Sequence, residues 1–323
     1  MAEEPQCAAC GSPDLRAHLR VAGDMGDQGL IPTTDRFGTA LSDIVRCANC
    51  GHMQLARMPS DAELESAYSD AASDDYVEEE AGQRETARRM LARIEQHAPQ
   101  RGAILDLGCW VGFLLAEARE RGWREQVGIE PSAFASSYAR DRLSLDVRTD
   151  DLFNAPLPDG HFDAVVLGDV IEHLPRPGEA LARIQTLLAP GGVAWFALPD
   201  AGSRVARTLG ARWWSVIPTH VQYFTRDSIA TLLERHGFTV LETATAPKAF
   251  SVEYYLSRIE GYSKPAGRAL VRGVRVARVA QRMWAPDFRD RMFVIARGGG
   301  QSVPGRAMSQ PWPDSTPSDT SAS

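Results

Sequence analysis

Lysine is almost missing from this sequence. Of 35 basic residues only Lys248 and Lys264 are lysines, and 42 acidic residues leave a formal charge of −7. Nucleic-acid readers usually show as basic domains, so the balance speaks against a nucleic-acid partner. No run of 18 apolar residues occurs, and no membrane span is expected. The opening MAEEPQCAAC is acidic and lacks a basic-then-apolar signal region, so the expected location is cytoplasmic. No internal repeat is found, and the G-x-G-x-x-G triplet of dinucleotide-binding turns is absent. Cysteine is also scarce, five in 323 residues, but four of the five fall before residue 59.

Those four form two matched units, Cys7-x2-Cys10-Gly11 and Cys47-x2-Cys50-Gly51, with 36 residues between them. Two thiolates held two residues apart by a tight turn can bite one metal, and the glycine supplies the positive φ such a turn needs. Two such hairpins complete a tetrahedral zinc site. Disulfides are disfavoured in a cytoplasmic chain. With four thiolates the zinc has no open position for a substrate, so a structural role is expected. Cys109, the fifth, is read as a packing residue.

A 44 % hydrophobic chain of this length has room for a large domain plus a small one. Residues 1–58 read as a zinc-ribbon domain and 59–100 as a helical linker, its first helix opening at "SDAELESAY" and its second running through "EEEAGQRETARRMLARIEQHA". From 103 onward short apolar runs alternate with helical patterns. Strands are expected at 103–107, 126–130, 145–149, 162–168, 192–198, from Phe238 to about 245, and at 290–297 as a final edge strand. Helices are expected at 112–121, 132–142, 178–188 and 226–236. This is an α/β pattern: a doubly wound, mostly parallel, seven-stranded sheet covered by helices, spanning 101–298 with a helical insertion at 247–289. The Gly/Ser/Pro-rich 299–323 reads as a disordered tail.

The first strand ends in Asp106-Leu107-Gly108-Cys109-Trp110-Val111-Gly112, a turn shaped to cradle a nucleotide. A dinucleotide's pyrophosphate needs close backbone approach, which Trp110 obstructs. S-adenosylmethionine (SAM) has no phosphate and tolerates the bulk better. A left-handed Trp110 would cost about 1–2 kcal/mol, small beside a typical total stability of about 5–15 kcal/mol. With "VGIEPS", "TDDLFNAPLPDGHFDAVVLGDVIEHL", "LLAPGGVAWFALPDAGS" and "THVQYFTRDSIATLLERHGF" following in order, residues 101–246 resemble a class I SAM-dependent methyltransferase, and the cysteine segment resembles the zinc-ribbon extension of some bacterial small-molecule members. The resemblance implies SAM binding by Asp106, Gly108 and Gly112 in the loop, by Glu130 on the ribose hydroxyls, by Asp151 and Leu152 at the adenine, and by Asp169 near the methionine moiety. It departs at Trp110, where the family has glycine, and at Asp200, where asparagine is commoner.

Methyl transfer is an in-line displacement in which positioning alone can supply about 7–11 kcal/mol, and a base is needed only where the acceptor must lose a proton. His220 and His173 are the candidates, with Glu172 or Asp169 to orient a ring and Trp213, Trp214 and Tyr223 around the acceptor; Trp213 and Trp214 read equally well as core. Asp169-x-x-Glu172-His173 also resembles the Glu-x-x-Glu-His magnesium site of some methyltransferases, with His220 as a further ligand. In the insertion Arg268, Arg272, Arg275 and Arg282 fall on one helical face, apart from Val271, Val274 and Trp284. That is read as a solvated face over a packed one, with an anionic-substrate lid or a membrane-surface helix as alternatives. The expected partner is a small-molecule acceptor, such as a sugar or specialised metabolite. An RNA methyltransferase with the ribbon as reader, and a non-catalytic SAM-binding scaffold, are the competing functions.

Overall fold

The structure is a computed structural model, and it describes residues 5–21, 38–60 and 79–299. The expected helix at "SDAELESAY" and the expected tail from 300 lie outside the described residues.

The amino-terminal segment supplies three short strands, β1 (Leu15–Leu19), β2 (Ile44–Cys47) and β3 (Met53–Leu55). Helix α1 (Glu80–His97) follows, burying Leu91 and Ile94. Then comes the alternation the sequence predicts: β4 (Ala103–Leu107), α2 (Phe113–Glu120), β5 (Glu125–Ile129), α3 (Ala133–Leu143), β6 (Asp146–Arg148), β7 (Phe162–Gly168), α4 (Pro177–Leu187), β8 (Leu188–Pro199), α5 (Arg204–Leu209), β9 (Gln222–Tyr223), α6 (Arg226–Arg235) and β10 (Phe238–Thr245). The insertion contributes β11 (Phe250–Ser251), α7 (Val252–Ser257), α8 (Lys264–Val276) and β12 (Met283–Trp284), and β13 (Arg291–Gly298) returns to the sheet.

The main sheet has seven strands in the order β10-β13-β8-β7-β4-β5-β6. It is parallel except for β13, which runs antiparallel to β8 and to β10. Alternate residues serve opposite faces: Leu105, Leu107, Val165 and Leu167 enter one core, Ile104, Ala164 and Val166 the other. Strands buried on both faces read as unbroken apolar runs. That rule corrects the expectation of an edge strand at the carboxyl end. Met292 to Ala296 are all buried, so β13 sits inside the sheet, and the half-exposed β10 forms the edge.

The cysteine segment is not free-standing. β3 pairs with β9, Met53 opposite Tyr223, so one four-stranded sheet spans the expected boundary at residue 58. Cys7, Ala9 and Cys47 enter the same core as the main sheet. Between them His52 is fully buried, 2.8 Å from Gln222 Oε1 and tilted against Phe224 with ring centroids 4.6 Å apart. Burial lowers its pKa to about 4.

The insertion departs from the expected pattern at one end. α8 forms despite Gly267 and Gly273 but stops at Val276, which places Arg282 and Trp284 beyond the helix. Among the described residues no helix is long and apolar enough to cross a membrane.

Candidate active site and cysteine cluster

The chain order of the sheet reverses between β4 and β7, and in doubly wound sheets ligands bind beyond the carboxyl ends of the strands at such a point. Asp106 belongs to β4, Glu130 follows β5, and Asp169 follows β7. All three expected acids therefore gather on one edge. The loop after β4 alternates into the left-handed region at Gly108 (φ 70°), Trp110 (φ 49°) and Gly112 (φ 83°). A Cβ at Gly112 would also stand 2.6 Å from Leu145 Cδ1, so this position needs glycine twice over. Trp110 carries the left-handed strain without that freedom, and Glu130 braces it. One carboxylate oxygen accepts the Trp110 N–H at 2.8 Å, and the other accepts the Ser132 N–H at 2.9 Å.

Asp106 is the polar exception in a strand that is buried throughout. Burial, then the charge of Glu130, push its carboxyl up to about 8. Burial raises Glu130 as well, against the two N–H groups it accepts. An acid whose pKa rises on folding gives the fold its full support below the unfolded value near 3.8 and loses it as pH rises through about 8. Asp106→Asn is accordingly expected to raise the Tm of the ligand-free protein. A domain of this size gains about 2–4 °C per kcal/mol, and the gain should be larger at pH 8 than at pH 5. Scanning fluorimetry at both values checks this; an equal or negative change at pH 8 would refute it.

Asp151 and Leu152 follow β6 on the same side. Asp151 turns its carboxylate onto its own loop, accepting the Phe153 N–H at 2.7 Å and the Asn154 N–H at 3.0 Å, while Leu152 packs on the core. Asp169 sits in the left-handed region (φ 60°) and receives two cations that the sequence reading missed. Lys248 Nζ lies 2.5 Å from one carboxylate oxygen, and Arg291 pairs with the other. Burial opposes the charge on Asp169, yet Arg291 and Lys248 hold its carboxyl well below the usual range. One of only two lysines in the chain was the available signal. Asp200 accepts the Gly202 N–H and an Arg226 N–H.

Glu172, His173 and His220 meet below this triad. Their ligand atoms all lie within 4.8 Å of one another, and the two rings stand edge to face at 4.6 Å. Each ring is anchored through Nδ1 to a backbone carbonyl, and the Asp169 charge acts on both. His173 Nδ1 bonds the Thr219 carbonyl at 2.9 Å and His220 Nδ1 bonds the Ser215 carbonyl at 2.8 Å, so both rings carry the proton on Nδ1 and turn an unprotonated Nε2 elsewhere. Burial lowers His173 to about 4 and His220 well below its ordinary value. Burial, with the Asp169 charge, raises Glu172 to about 8. Among the described residues both Glu172 carboxylate oxygens, Thr219 Oγ1 and Tyr223 Oη are buried without a hydrogen-bond partner. Four such atoms in one place are unusual, since buried polar groups are nearly always paired. Trp213 lies in the core under this cluster, and half-buried Trp214 donates its indole N–H to Asp290 at 2.8 Å.

On the far side of β9 the four cysteines converge. Cys7 and Cys50 sulfurs are 3.6 Å apart, as are those of Cys10 and Cys47, and all four lie within 4.8 Å of one another. Four sulfurs around a tetrahedral zinc stand about 3.8 Å apart. Gly11 and Gly51 both take φ 74°, and each donates its N–H to the carbonyl of the first cysteine of its unit. The donor set and the paired turns fit zinc. Burial pushes the Cys7 thiol up to about 11, while at Cys10 hydrogen bonds outweigh burial and bring it down to about 6. Cys109 stands apart, buried against Gly128, its thiol pushed up by burial.

A family model described as a methyltransferase domain matches residues 79–243, from the start of α1 into β10. The chain belongs to that methyltransferase family. Over 144 residues it is 30 % identical to a probable SAM-dependent methyltransferase of Mycolicibacterium smegmatis, covering 43 % of this chain and 53 % of that one. Over 154 residues it is 31 % identical to a ubiquinone biosynthesis O-methyltransferase of Bradyrhizobium, covering 42 % and 60 %. It thus spans little more than half the length of these two relatives. Similarity to the malonyl-[acyl-carrier protein] O-methyltransferase of Geobacter sulfurreducens is 28 % over 255 residues and covers 71 % of this chain and 90 % of that one. Among solved structures, a SAM-dependent methyltransferase from Archaeoglobus fulgidus is similar at 20 % identity and a TM-score of 0.48, over 70 % of this methyltransferase-family chain and all of its own.

Proposed function

We propose that this chain transfers the methyl group of SAM to a small-molecule acceptor, with a zinc-bound ribbon as a structural part. The observation that carries the reading is the pair of buried carboxylates, Asp106 and Glu130, under a loop with three left-handed residues at the switch point of the sheet. SAM, when bound, supplies a methyl group on a positively charged sulfur. Glu130 accepts both ribose hydroxyls with the lone pairs left over from Trp110 and Ser132. Gly108 and Gly112 keep the loop backbone close to the ligand. Leu152 packs beside the adenine, and Asp151 fixes the loop that carries it. Asp169 lies near the methionine end. The acceptor sits between that end and the Glu172, His173 and His220 cluster, where His220 takes its proton. Relatives named for ubiquinone and for malonyl-[acyl-carrier protein] support a metabolite as acceptor.

Titration calorimetry tests the cofactor. Glu130→Ala should weaken SAM binding at least tenfold, since a hydrogen bond to a charged group is worth about 1.5–3 kcal/mol. Glu130→Gln keeps an acceptor for the Trp110 N–H and separates loop collapse from the lost charge. Unchanged affinity in both variants, or preferential binding of NAD, would sink the assignment.

The unpaired Glu172 carboxylate favours one further reading, in which Glu172, His173 and His220 hold a divalent metal. Asp169 is not part of such a set, because Lys248 and Arg291 occupy it. Elemental analysis would then return a second metal per chain, lost in Glu172→Gln while the cysteine-bound zinc stays.

A further inference from the structure

The insertion concentrates what the rest of the surface avoids. Residues 247–289 hold nine basic and three acidic side chains, a net of +6 on a chain whose total is −7. Eight large apolar side chains are exposed among the described residues, and six of them lie here: Tyr262, Leu270, Val276, Met283, Trp284 and Phe288. The two properties occur in one insertion and meet on α8 itself, where Leu270 and Val276 stand exposed among the basic side chains. α8 presents exposed Lys264, Arg268, Arg272 and Arg275 with no acidic residue of its own, Glu253 pairing with Arg275 and Glu260 standing 3.8 Å from Arg268, and a shallow groove on it is lined by Arg268, Ala269, Arg272, Gly273 and Val276. Val276, at 78 % exposure, is the most exposed of the six. Trp284 and Phe288 form one aromatic group with Tyr255 and, through Phe288, with Trp214. Tyr255 in turn donates its hydroxyl hydrogen to the Lys248 carbonyl, beside the Asp169 triad.

We infer that this face docks on an anionic lipid surface. Clustered arginine interspersed with exposed Leu270 and Val276, in an insertion that also exposes Trp, Phe and Met, is the composition that lies in the boundary between headgroups and acyl chains. Ordinary solvation does not explain it, because contiguous apolar exposure is disfavoured on a surface that meets only water. A partner of carboxylates alone, whether an acidic protein or the chain's own stretch 61–78 with seven acids and no base, would answer the arginines. It would leave Met283, Trp284 and Phe288 in water, and a bilayer satisfies both. With the aromatic group leading from this face towards Lys248 and Asp169, the acceptor would be drawn from the lipid phase; that clause rests on the methyl-transfer reading, whereas the docking itself does not.

The test is co-sedimentation of the full chain with vesicles of phosphatidylcholine, pure or doped with phosphatidylglycerol, in the absence of SAM and of any acceptor. The doped vesicles should retain the protein and the pure ones should not, with retention falling as salt is raised. Each basic side chain near an anionic surface contributes about a fivefold change in partitioning, so Arg268→Glu/Arg272→Glu should lose at least about 25-fold. Trp284→Ser should weaken retention while preserving its salt dependence. SAM affinity of the double arginine variant, measured without vesicles, should match the wild type, so a failure of docking and a failure of the cofactor assignment are distinguishable. Equal retention on both vesicles, no retention on either, or an unchanged double variant would overturn the inference. Capture on immobilised polyglutamate without vesicle retention would overturn it in favour of an acidic protein partner.

Discussion

A Cys47→Ser/Cys50→Ser double variant is expected to lose zinc, to open the amino-terminal segment to protease, and to melt at least about 10 °C below the wild type. Structural zinc contributes apparent binding energies of about 10–16 kcal/mol in small domains, and about 1 kcal/mol corresponds to roughly 2–4 °C in a chain of this size. Within itself the segment has little else to hold it. Its strands are three to five residues long, and its buried apolar side chains are few. The loss should not stay local. β3 pairs with β9, His52 is bonded to Gln222, and Arg235 donates to the Ala9 carbonyl at 2.9 Å. Once the ribbon opens, Tyr223 and Phe224 lose their cover, and these residues adjoin the His220 cluster. SAM affinity should therefore fall less than stability does, because Asp106 and Glu130 lie on the other side of the sheet order, beyond β7. The measurements are elemental analysis, which should give one zinc per wild-type chain, limited proteolysis and a melting curve. A fully folded wild type without metal, or a double variant with the wild-type Tm, would refute the structural role.

The central strands were legible because parallel strands buried on both faces leave unbroken apolar runs. Ala103–Leu107 and Phe162–Gly168 appear where the sequence places them. The helices were legible from period and cap; Thr225 and Ser228 form a reciprocal capping box at the start of α6. Strand order was not legible at the carboxyl end, since β10 pairs antiparallel along the outer side of β13 and no local pattern in either strand specifies that pairing. Nor was the docking of the amino-terminal cysteine segment, because a two-residue strand such as β9 has no periodicity to detect.

Within the site, the acids that close strands could be read from spacing, since a strand's end fixes where its last side chain stands. Asp106, Glu130 and Asp169 do share one edge. The partners of those acids could not be read. Lys248 and Arg291 reach Asp169 from either end of the insertion, 79 and 122 residues away in the chain. An ordinary imidazole pKa near neutrality, the property that suits a histidine to proton removal, presumes solvent. Burial removes that premise while leaving the placement of both histidines intact, and the pH dependence of the reaction changes with it.

His220→Ala is expected to reduce turnover by about 10²- to 10⁴-fold, the usual range for a lost general base, with SAM affinity unchanged. The wild-type rate should also resist acid. An ordinary histidine base is half protonated near pH 6.5, whereas burial holds His220 well below its ordinary value and His173 at about 4. Both remain unprotonated at pH 6, so the acid limb of kcat/KM should lie below pH 6. A ring this weakly basic accepts a proton only as the acceptor's bond to the methyl carbon forms, and only if something stabilises the resulting imidazolium. Glu172 supplies that. Its carboxyl holds a proton at neutrality, pushed up to about 8, and as a positive charge develops within 4.8 Å it can ionise by passing that proton to bulk water, leaving a carboxylate beside the imidazolium. Glu172→Gln removes this response but keeps the volume, so it should lower kcat without moving KM for SAM. His173→Ala should cost less, because His173 closes the turn that directly follows β7 and serves as a positioner of the pair. Release of S-adenosylhomocysteine across a panel of metabolite acceptors, followed by the pH profile with the best of them, makes the measurement. An acid limb at pH 6.5, or a His220→Ala variant within a few-fold of wild type, would leave catalysis here to positioning alone.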